Sequence, residues 1–356
     1  MSEQNATPRS LKELDEPNLQ AYLAKNLPET QDAPFSVKRY PHGYSNLTFQ
    51  IQFGTHDMVL RRPPIGANIK SGHDMEREYR VLSGLAPIYS KAPRPVLYCE
   101  DSTVTGAPFY LMERVDGVIL RNKPPEGLTP EVMGQISRAF IENLADIHAL
   151  DYTTTELKNL GRPGGYVNRQ ITGWRDRYAR AKTDEIPSLE RAGKWLEENA
   201  PADSASCLIH NDYKYDNVVL DRNDLTRIIA VLDWEMATIG DPLMDLGTTL
   251  AYWIDPDDPE ELQKARDGST LWPGNLNRAQ LVQQYALKSG REVGNIVFYY
   301  VYGLYKIAVI AQQIYARYKQ GYSTDERFGR LIYLIKLVGN SAALAIEKQR
   351  IDQLQS

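Results

Sequence analysis

The sequence predicts an α+β fold in two lobes: a small antiparallel sheet lobe with one helix, then a larger, mostly helical lobe. Short runs with strand character cluster between residues 35 and 115, whereas helical apolar spacing dominates from about residue 130. Between them lies the Pro/Gly-rich stretch VDGVILRNKPPEG at 115–127. The predicted organisation is an N-terminal segment with a short helix over 1–30, a sheet lobe over 31–115 and a helical lobe over 116–356.

The elements follow in order. LKELDEPNLQAYLAKNLP has helical apolar spacing broken at Pro17, which places a short helix near 17–27. FSVKRY, NLTFQIQF and DMVLRRP read as strands, separated by Pro-His-Gly-Tyr-Ser and Gly-Thr-His. HDMEREYRVLSGL sets Met75, Tyr79, Leu82 and Leu85 on one side of a helix. VLYCED and PFYLMERV are two more strands joined by a turn. Thr129 and Pro130 suit the cap and first turn of a helix through PEVMGQISRAFIENLADIHAL. Further helices are expected over 168–182, 187–199, 277–289, 293–320 and 325–352. In their midst, VVLD and RIIAVLDW read as two short strands flanking the turn DRND.

Composition narrows the function classes. The chain has 356 residues, 42% hydrophobic and 24% charged, with a net charge of −5, and shows no clustered basic excess of the kind nucleic-acid binding requires. The most apolar long stretch, IVFYYVYGLYKIAVIA at 296–311, contains Lys306 and several tyrosines and falls short of a membrane span. MSEQNATPRS lacks the basic start and apolar core of a secretory leader. Cys99 and Cys207 match no metal or redox spacing, so free thiols in a reducing cytoplasm are expected.

The chemistry concentrates in CLIHNDYKYDNVVL at 207–220, where His210, Asp212, Lys214, Asp216 and Asn217 separate two apolar runs. Asp233 follows the apolar strand IIAVL and precedes Trp234-Glu235. An amide and a carboxylate at strand ends offer hard oxygen ligands, which suit Mg²⁺ completed by water and substrate phosphates. Asp212 is placed to act as a base, and Lys214 to bring positive charge to a transferring phosphoryl group.

HNDYKYDN matches the protein-kinase catalytic-loop pattern H-R-D-x-K-x-x-N at His210, Asp212, Lys214 and Asn217, and DWE at 233–235 takes the place of DFG. The run IHNDYKYDNVVLD…IIAVLDWEMATIGDPLMDLG resembles the aminoglycoside phosphotransferase family, small-molecule kinases with a bilobal protein-kinase-like fold. Within it, the sequence is similar to the kinase-like domains related to the amino-terminal part of certain acyl-CoA dehydrogenases.

The resemblance implies an ATP- and Mg²⁺-dependent kinase acting on the hydroxyl of a small molecule, such as a hydroxyacyl-CoA or a hydroxy acid. It assigns catalysis to Asp212, Lys214 and His210, and metal binding to Asn217 and Asp233. It assigns Gly43, Ser45 and Asn46 to a phosphate-covering turn, Arg61 with its partner Glu78 to the phosphates, and Glu113 and Val115 to the adenine-binding connector. A ligand cleft between the lobes is expected. There is no G-x-G-x-x-G, and Arg61 stands where protein kinases carry lysine; Arg62 competes for the role, but the Val59/Arg61 alternation favours Arg61. Asp245 is read as a brace for the catalytic loop, and His148 as a satisfied core residue. Arg169 and Trp174 are candidate acceptor contacts. A nucleotide-binding sensor without turnover is the alternative class. A protein kinase is disfavoured by DWE and by the lack of an A-P-E segment after Asp233.

Overall fold

The computed structural model describes residues 14–30, 32–40, 46–64, 74–121, 123–266, 268–322 and 325–355. Its internal packing divides the chain into two units, Met1–Asp116 and Gly117–Ser356.

The smaller unit holds helix α1 (Glu16–Asn26), strands β1 (Phe35–Arg39), β2 (Leu47–Phe53) and β3 (His56–Arg62), helix α2 (Met75–Leu85), strand β4 (Pro95–Cys99), the one-turn helix α3 (Ser102–Thr105) and strand β5 (Phe109–Glu113). The strands form one antiparallel sheet in the order β1-β2-β3-β5-β4. Strand alternation sorts the residues onto two faces. Phe49, Ile51, Phe53, Met58 and Leu60 turn inward with Leu19 and Leu23 of α1, so the N-terminal helix packs into the same core as the sheet. Each such side chain contributes about 1.5–3 kcal/mol on burial. Val59 and Arg61 share the opposite face, where Arg61 meets Glu78 of α2. The connection between β4 and β5 departs from the expected plain turn. Asp101 accepts a hydrogen bond from the Thr103 N–H at 2.8 Å and winds α3, which Gly106 closes at φ +86°.

In the larger unit, helices α4 (Pro130–His148), α5 (Tyr166–Ala181) and α6 (Pro187–Glu198) precede strands β6 (Cys207–Ile209), β7 (Val218–Leu220), β8 (Ile228–Val231) and β9 (Thr238–Gly240). Helices α7 (Pro242–Tyr252), α8 (Glu260–Ala265), α9 (Arg278–Ser289), α10 (Ile296–Lys319) and α11 (Leu331–Lys348) follow. Two short ladders, β6–β9 and β7–β8, frame the polar loop. Helix α10 is the hub, packed against α5, α6, α7 and α11. Its buried residues run all round it, including Phe298, Tyr299, Tyr300, Val301 and Leu304, as expected of a helix with neighbours on every side.

In this larger unit three elements differ from expectation. Helix α11 begins at Leu331 because Asp325 accepts from the Arg327 N–H and residues 326–330 wind as a 3₁₀ turn. It ends at Lys348, where Gln349 takes a left-handed conformation. Helix α8 and the β6–β9 ladder were not expected; both are too short to show periodicity.

Candidate active site

The polar loop 210–217 is fixed at both ends by β6 and β7. Its backbone is held from below by α7. One carboxylate oxygen of Asp245 accepts the His210 N–H at 2.7 Å, and the other accepts the Asn211 N–H at 2.7 Å. Asp245 is fully buried and also accepts from Nε2 of His148 at 3.1 Å. Nδ1 of His148 accepts from the Tyr285 hydroxyl at 2.8 Å, so His148 is a satisfied core residue. Burial pushes the Asp245 carboxyl up, but the His148 contact, the imidazole at His210 and the backbone N–H of His210 outweigh it and hold the group below its usual range. Asp241 caps α7 by accepting from Leu243 N–H at 2.8 Å, with Pro242 in the first turn.

Asn211 adopts φ +67°, a left-handed conformation that asparagine tolerates better than most residues. It turns the chain so that Asp212 leaves the loop half-buried. Lys214 Nζ lies 3.0 and 2.8 Å from the two carboxylate oxygens of Asp212. Asn217 Nδ2 donates to the Asp212 carbonyl at 2.9 Å and to its Oδ2 at 3.0 Å. The structure thus brings together Asp212, Lys214 and Asn217. Lys214 Nζ also lies 4.7 Å from the Tyr252 ring centroid. Burial and the adjoining Asp212 carboxylate hold the Tyr252 phenol well above its ordinary pKa. Tyr252, at the last turn of α7, forms a wall that sequence reasoning missed; nothing distinguishes it locally from a core tyrosine.

His210 requires a correction. It was placed with the catalytic groups, but it is fully buried and both ring nitrogens are engaged within the protein. Nδ1 accepts the Asp212 N–H at 3.2 Å, and Nε2 donates to the Leu232 carbonyl at 2.9 Å. Its ring lies 4.7 Å from that of Trp234. It is a positioning residue, tying Asp212 to the end of β8.

Asp233 follows directly, half-buried and in a left-handed conformation with φ +66°. The Leu232 N–H donates to the Asn217 carbonyl at 2.7 Å, and Val218 pairs with Val231, so Asn217 and Asp233 emerge at the same end of the β7–β8 ladder. The Asn217 amide nitrogen faces Asp212, which directs its Oδ1 the other way. Among the described residues no group of three or more His, Cys, Asp or Glu side chains could hold a metal. One carboxylate and one amide oxygen fit Mg²⁺, whose remaining ligands are water and phosphate oxygens, and fit zinc poorly.

In the smaller unit, Arg61 Nη1 contacts Glu78 Oε1, with the two side chains 12% and 2% exposed. The ion pair with Glu78 is thus made by Arg61, the residue on the face that strand alternation indicated. Asn46 is buried at the entry to β2, and Gly43 and Ser45 lie outside the described residues. Glu113 ends β5, its N–H donating to the Arg94 carbonyl at 2.9 Å, while the Arg114 N–H reaches the Asp57 carbonyl at 3.0 Å. The chain leaves the sheet at Val115. Of the two acceptor candidates, Arg169 donates to the carbonyls of Arg162 and Gly164 and so braces its own loop, and Trp174 is buried in α5 beneath the guanidinium of Arg177.

Comparison with known proteins bears on this geometry. The model of the phosphotransferase enzyme family (APH) matches residues 36–279. Acyl-CoA dehydrogenase family member 11 of Homo sapiens is 34% identical over 321 residues, covering 88% of this chain and 40% of that protein. Acyl-CoA dehydrogenase family member 10 of Mus musculus is 33% identical over 318 residues, covering 88% and 30%. The chain therefore spans well under half the length of these relatives. A candidate aminoglycoside phosphotransferase from Ralstonia eutropha superposes with a TM-score of 0.76 at 28% identity, over 93% of this chain and 98% of that one. Choline kinase from Cryptosporidium parvum superposes with a TM-score of 0.65 at 14% identity, over 95% and 98%, a likeness of fold. The chain belongs to the phosphotransferase enzyme family and shares its kinase-like α+β fold.

Proposed function

We propose that the chain is an ATP-dependent kinase that phosphorylates the hydroxyl of a small molecule. The observation that carries this reading is the Asp212 carboxylate, held by Lys214 and Asn217 beside the strand end that bears Asp233. Asp212 orients the acceptor hydroxyl and receives its proton as the hydroxyl oxygen bonds to the γ-phosphorus. The bond from that phosphorus to the bridging oxygen breaks, and its electron pair leaves with ADP. Lys214 turns its ammonium to the transferring group, and Arg61 binds nucleotide phosphates through its guanidinium fork. Asn217 and Asp233 would hold Mg²⁺, which neutralises phosphate charge when bound. Most of the rate enhancement then comes from positioning and electrostatics. The names of the relatives join this segment to acyl-CoA chemistry, which supports a hydroxyacyl-CoA or a hydroxy acid as acceptor. A solved neighbour in complex with GDP makes the choice of nucleotide part of the test.

The test is mass-spectrometric. The protein is incubated with Mg²⁺ and ATP or GTP and a panel of hydroxyacyl-CoAs, hydroxy acids, choline, sugars and aminoglycosides, with Asp212→Asn as control. A phosphorylated product absent from the variant is expected. Nucleotide binding with no transfer to any acceptor would favour the sensor reading, and full activity of Asp212→Asn would remove the base from the mechanism.

A further inference from the structure

Helix α10 carries a lysine where its neighbours are apolar or aromatic. Lys306 is 2% exposed. Its Nζ donates to the Asn211 carbonyl at 2.7 Å and lies 3.5 Å from Asn211 Oδ1. The Asn211 side chain is fixed in turn, its Nδ2 donating to the Met236 carbonyl at 3.1 Å with the Tyr166 hydroxyl 3.4 Å away. Asp245 of α7 holds the N–H groups of His210 and Asn211. Two helices thus grip one short piece of backbone, α7 by its N–H groups and α10 by the carbonyl immediately before Asp212.

A buried ammonium is a poor way to stabilise a fold, because removing it from water costs several kcal/mol before any attraction is counted. Burial draws the pKa of Lys306 down to about 8, against the opposing pull of Asp245 and Asp212 and with the repulsion of Lys214. An apolar side chain would fill the same volume without that cost. What an apolar side chain would not do is hold the Asn211 carbonyl. That carbonyl belongs to the peptide unit whose N–H is that of Asp212, so its direction sets the plane from which the Asp212 side chain departs.

We propose that Lys306 is a positioning residue for phosphoryl transfer: by holding the Asn211 carbonyl it orients the Asp212 carboxylate towards the acceptor hydroxyl. This inference rests on the kinase reading above. It makes Lys306 matter to kcat and not to nucleotide affinity, since its contacts lie on the Asp212 side of the loop and not on Asn217 or Asp233.

The test compares Lys306→Met with Gln312→Leu and Asp212→Asn in the phosphotransfer assay, with Mg²⁺–nucleotide affinity and melting temperature read on each. Gln312 is a fully buried polar residue on the same helix, bonded to the Ala181 carbonyl at 2.9 Å and the Thr183 hydroxyl at 2.8 Å, away from the loop. We expect Lys306→Met to lose about 10- to 100-fold in kcat, the effect of displacing a catalytic group by up to about an ångström, with nucleotide affinity within about twofold of the parent. Gln312→Leu should lower the melting temperature and leave kcat within about twofold. A kcat for Lys306→Met within about twofold of the parent overturns the inference, as does an equal kcat loss in Gln312→Leu, which would reduce Lys306 to a structural part of the helix. Activity in Asp212→Asn overturns the kinase reading and this inference with it, whereas a dead Asp212→Asn beside a fully active Lys306→Met overturns this inference alone. If Lys306→Met does not fold, Lys306→Leu takes its place under the same criteria.

Discussion

Gly247→Ala tests how tightly α7 and α10 must cross for the loop 210–217 to be held. A Cβ at Gly247 would stand 2.1 Å from the Tyr299 carbonyl oxygen and 2.3 Å from its carbon, and one at Gly303 would stand 2.3 Å from the Gly247 carbonyl oxygen. Carbon and oxygen do not approach closer than about 3 Å without a hydrogen bond, and here the obstacle is backbone, which cannot rotate away. The helices must therefore part by about 1 Å. Overpacking of this kind costs about 1–3 kcal/mol, which for a chain of this size lowers the melting temperature by roughly 1–4 °C. Asp245 lies half a turn before Gly247 and Lys306 one turn after Gly303, so parting the helices also spreads the two arms that grip residues 210–212. Transfer activity should fall together with stability. Thermal unfolding and phosphotransfer are measured beside Gly294→Ala, where a Cβ would meet nothing within 4 Å. A melting temperature within about 0.5 °C of the parent for Gly247→Ala would refute the reasoning about the crossing. A lower melting temperature with unchanged kcat would detach the crossing from the site.

Further consequences are open to measurement. Asp233→Asn should weaken Mg²⁺-dependent nucleotide binding by about 10-fold or more, since even residues one shell beyond a metal carry about 10–100-fold; an unchanged Mg²⁺ titration removes Asp233 from the metal site. Asp245→Asn should cost about 3–5 kcal/mol in urea unfolding at neutral pH, because it removes the anion from a buried network. The Asp245 carboxyl is held below its unfolded value, so its contribution is complete above about pH 4 and is lost as the pH falls through the lower folded value. The deficit of Asp245→Asn should shrink on acidification, and a deficit independent of pH would count against it. Lys306 gives a slope of the same sign in the alkaline range. Its pKa is lowered from 10.5 to about 8, so between those values the unfolded chain keeps a proton that the folded chain has released, and stability rises with pH. Asp245, Asp212 and Lys214 face the ammonium and Tyr166 lies beyond Asn211, so the comparison is made against Lys306→Met, which leaves those groups in place. The parent should gain up to about 3 kcal/mol on that variant between pH 7 and pH 10, and a constant difference would sink the assignment.

The parts of the site that were legible in the sequence are those that local chain geometry controls. Asp212, Lys214 and Asn217 fall within one loop, so their spacing alone brings their side chains together. Arg61 was separable from Arg62 because strand alternation decides which face each side chain takes, and the Glu78 contact follows from that face. His148 and Asp245 also kept their expected roles, since a capped helix start fixes where Asp245 points. What stayed hidden depends on long-range packing. Lys306 reaches Asn211 across 95 positions, and its place in an apolar run gave only a reason to doubt a membrane span. Tyr252 reads as any other helix-end aromatic. The glycine pair at 247 and 303 has meaning only once α7 and α10 cross. His210 matched the pattern but not the role assigned to it, because a motif position specifies a residue type and not which of its atoms are already engaged.

The two lysines at Asp212 do different work, and their burial separates them. Lys214 is 28% exposed and sits on the carboxylate oxygens themselves. A base whose lone pairs are held by an ammonium is a weak base, so in the proposed reaction this contact must loosen before Asp212 receives the acceptor proton. In the proposed reaction a phosphoryl group would compete for the same ammonium, and its arrival would free the carboxylate at the moment it is needed. Once Lys214 has turned, the loop 210–217 itself offers Asp212 no other lysine or arginine. Lys306 cannot turn, because it is enclosed on α10 and bonded to the Asn211 carbonyl. On the proposed reading its charge and its hydrogen bond would stay behind the loop through the transfer, keeping the carboxylate aimed while Lys214 follows the phosphate. Preorganised charge of this kind costs no rearrangement during reaction. It also requires that removal of Lys306 be read in kcat, where the transfer step lies, and not in the affinity for nucleotide.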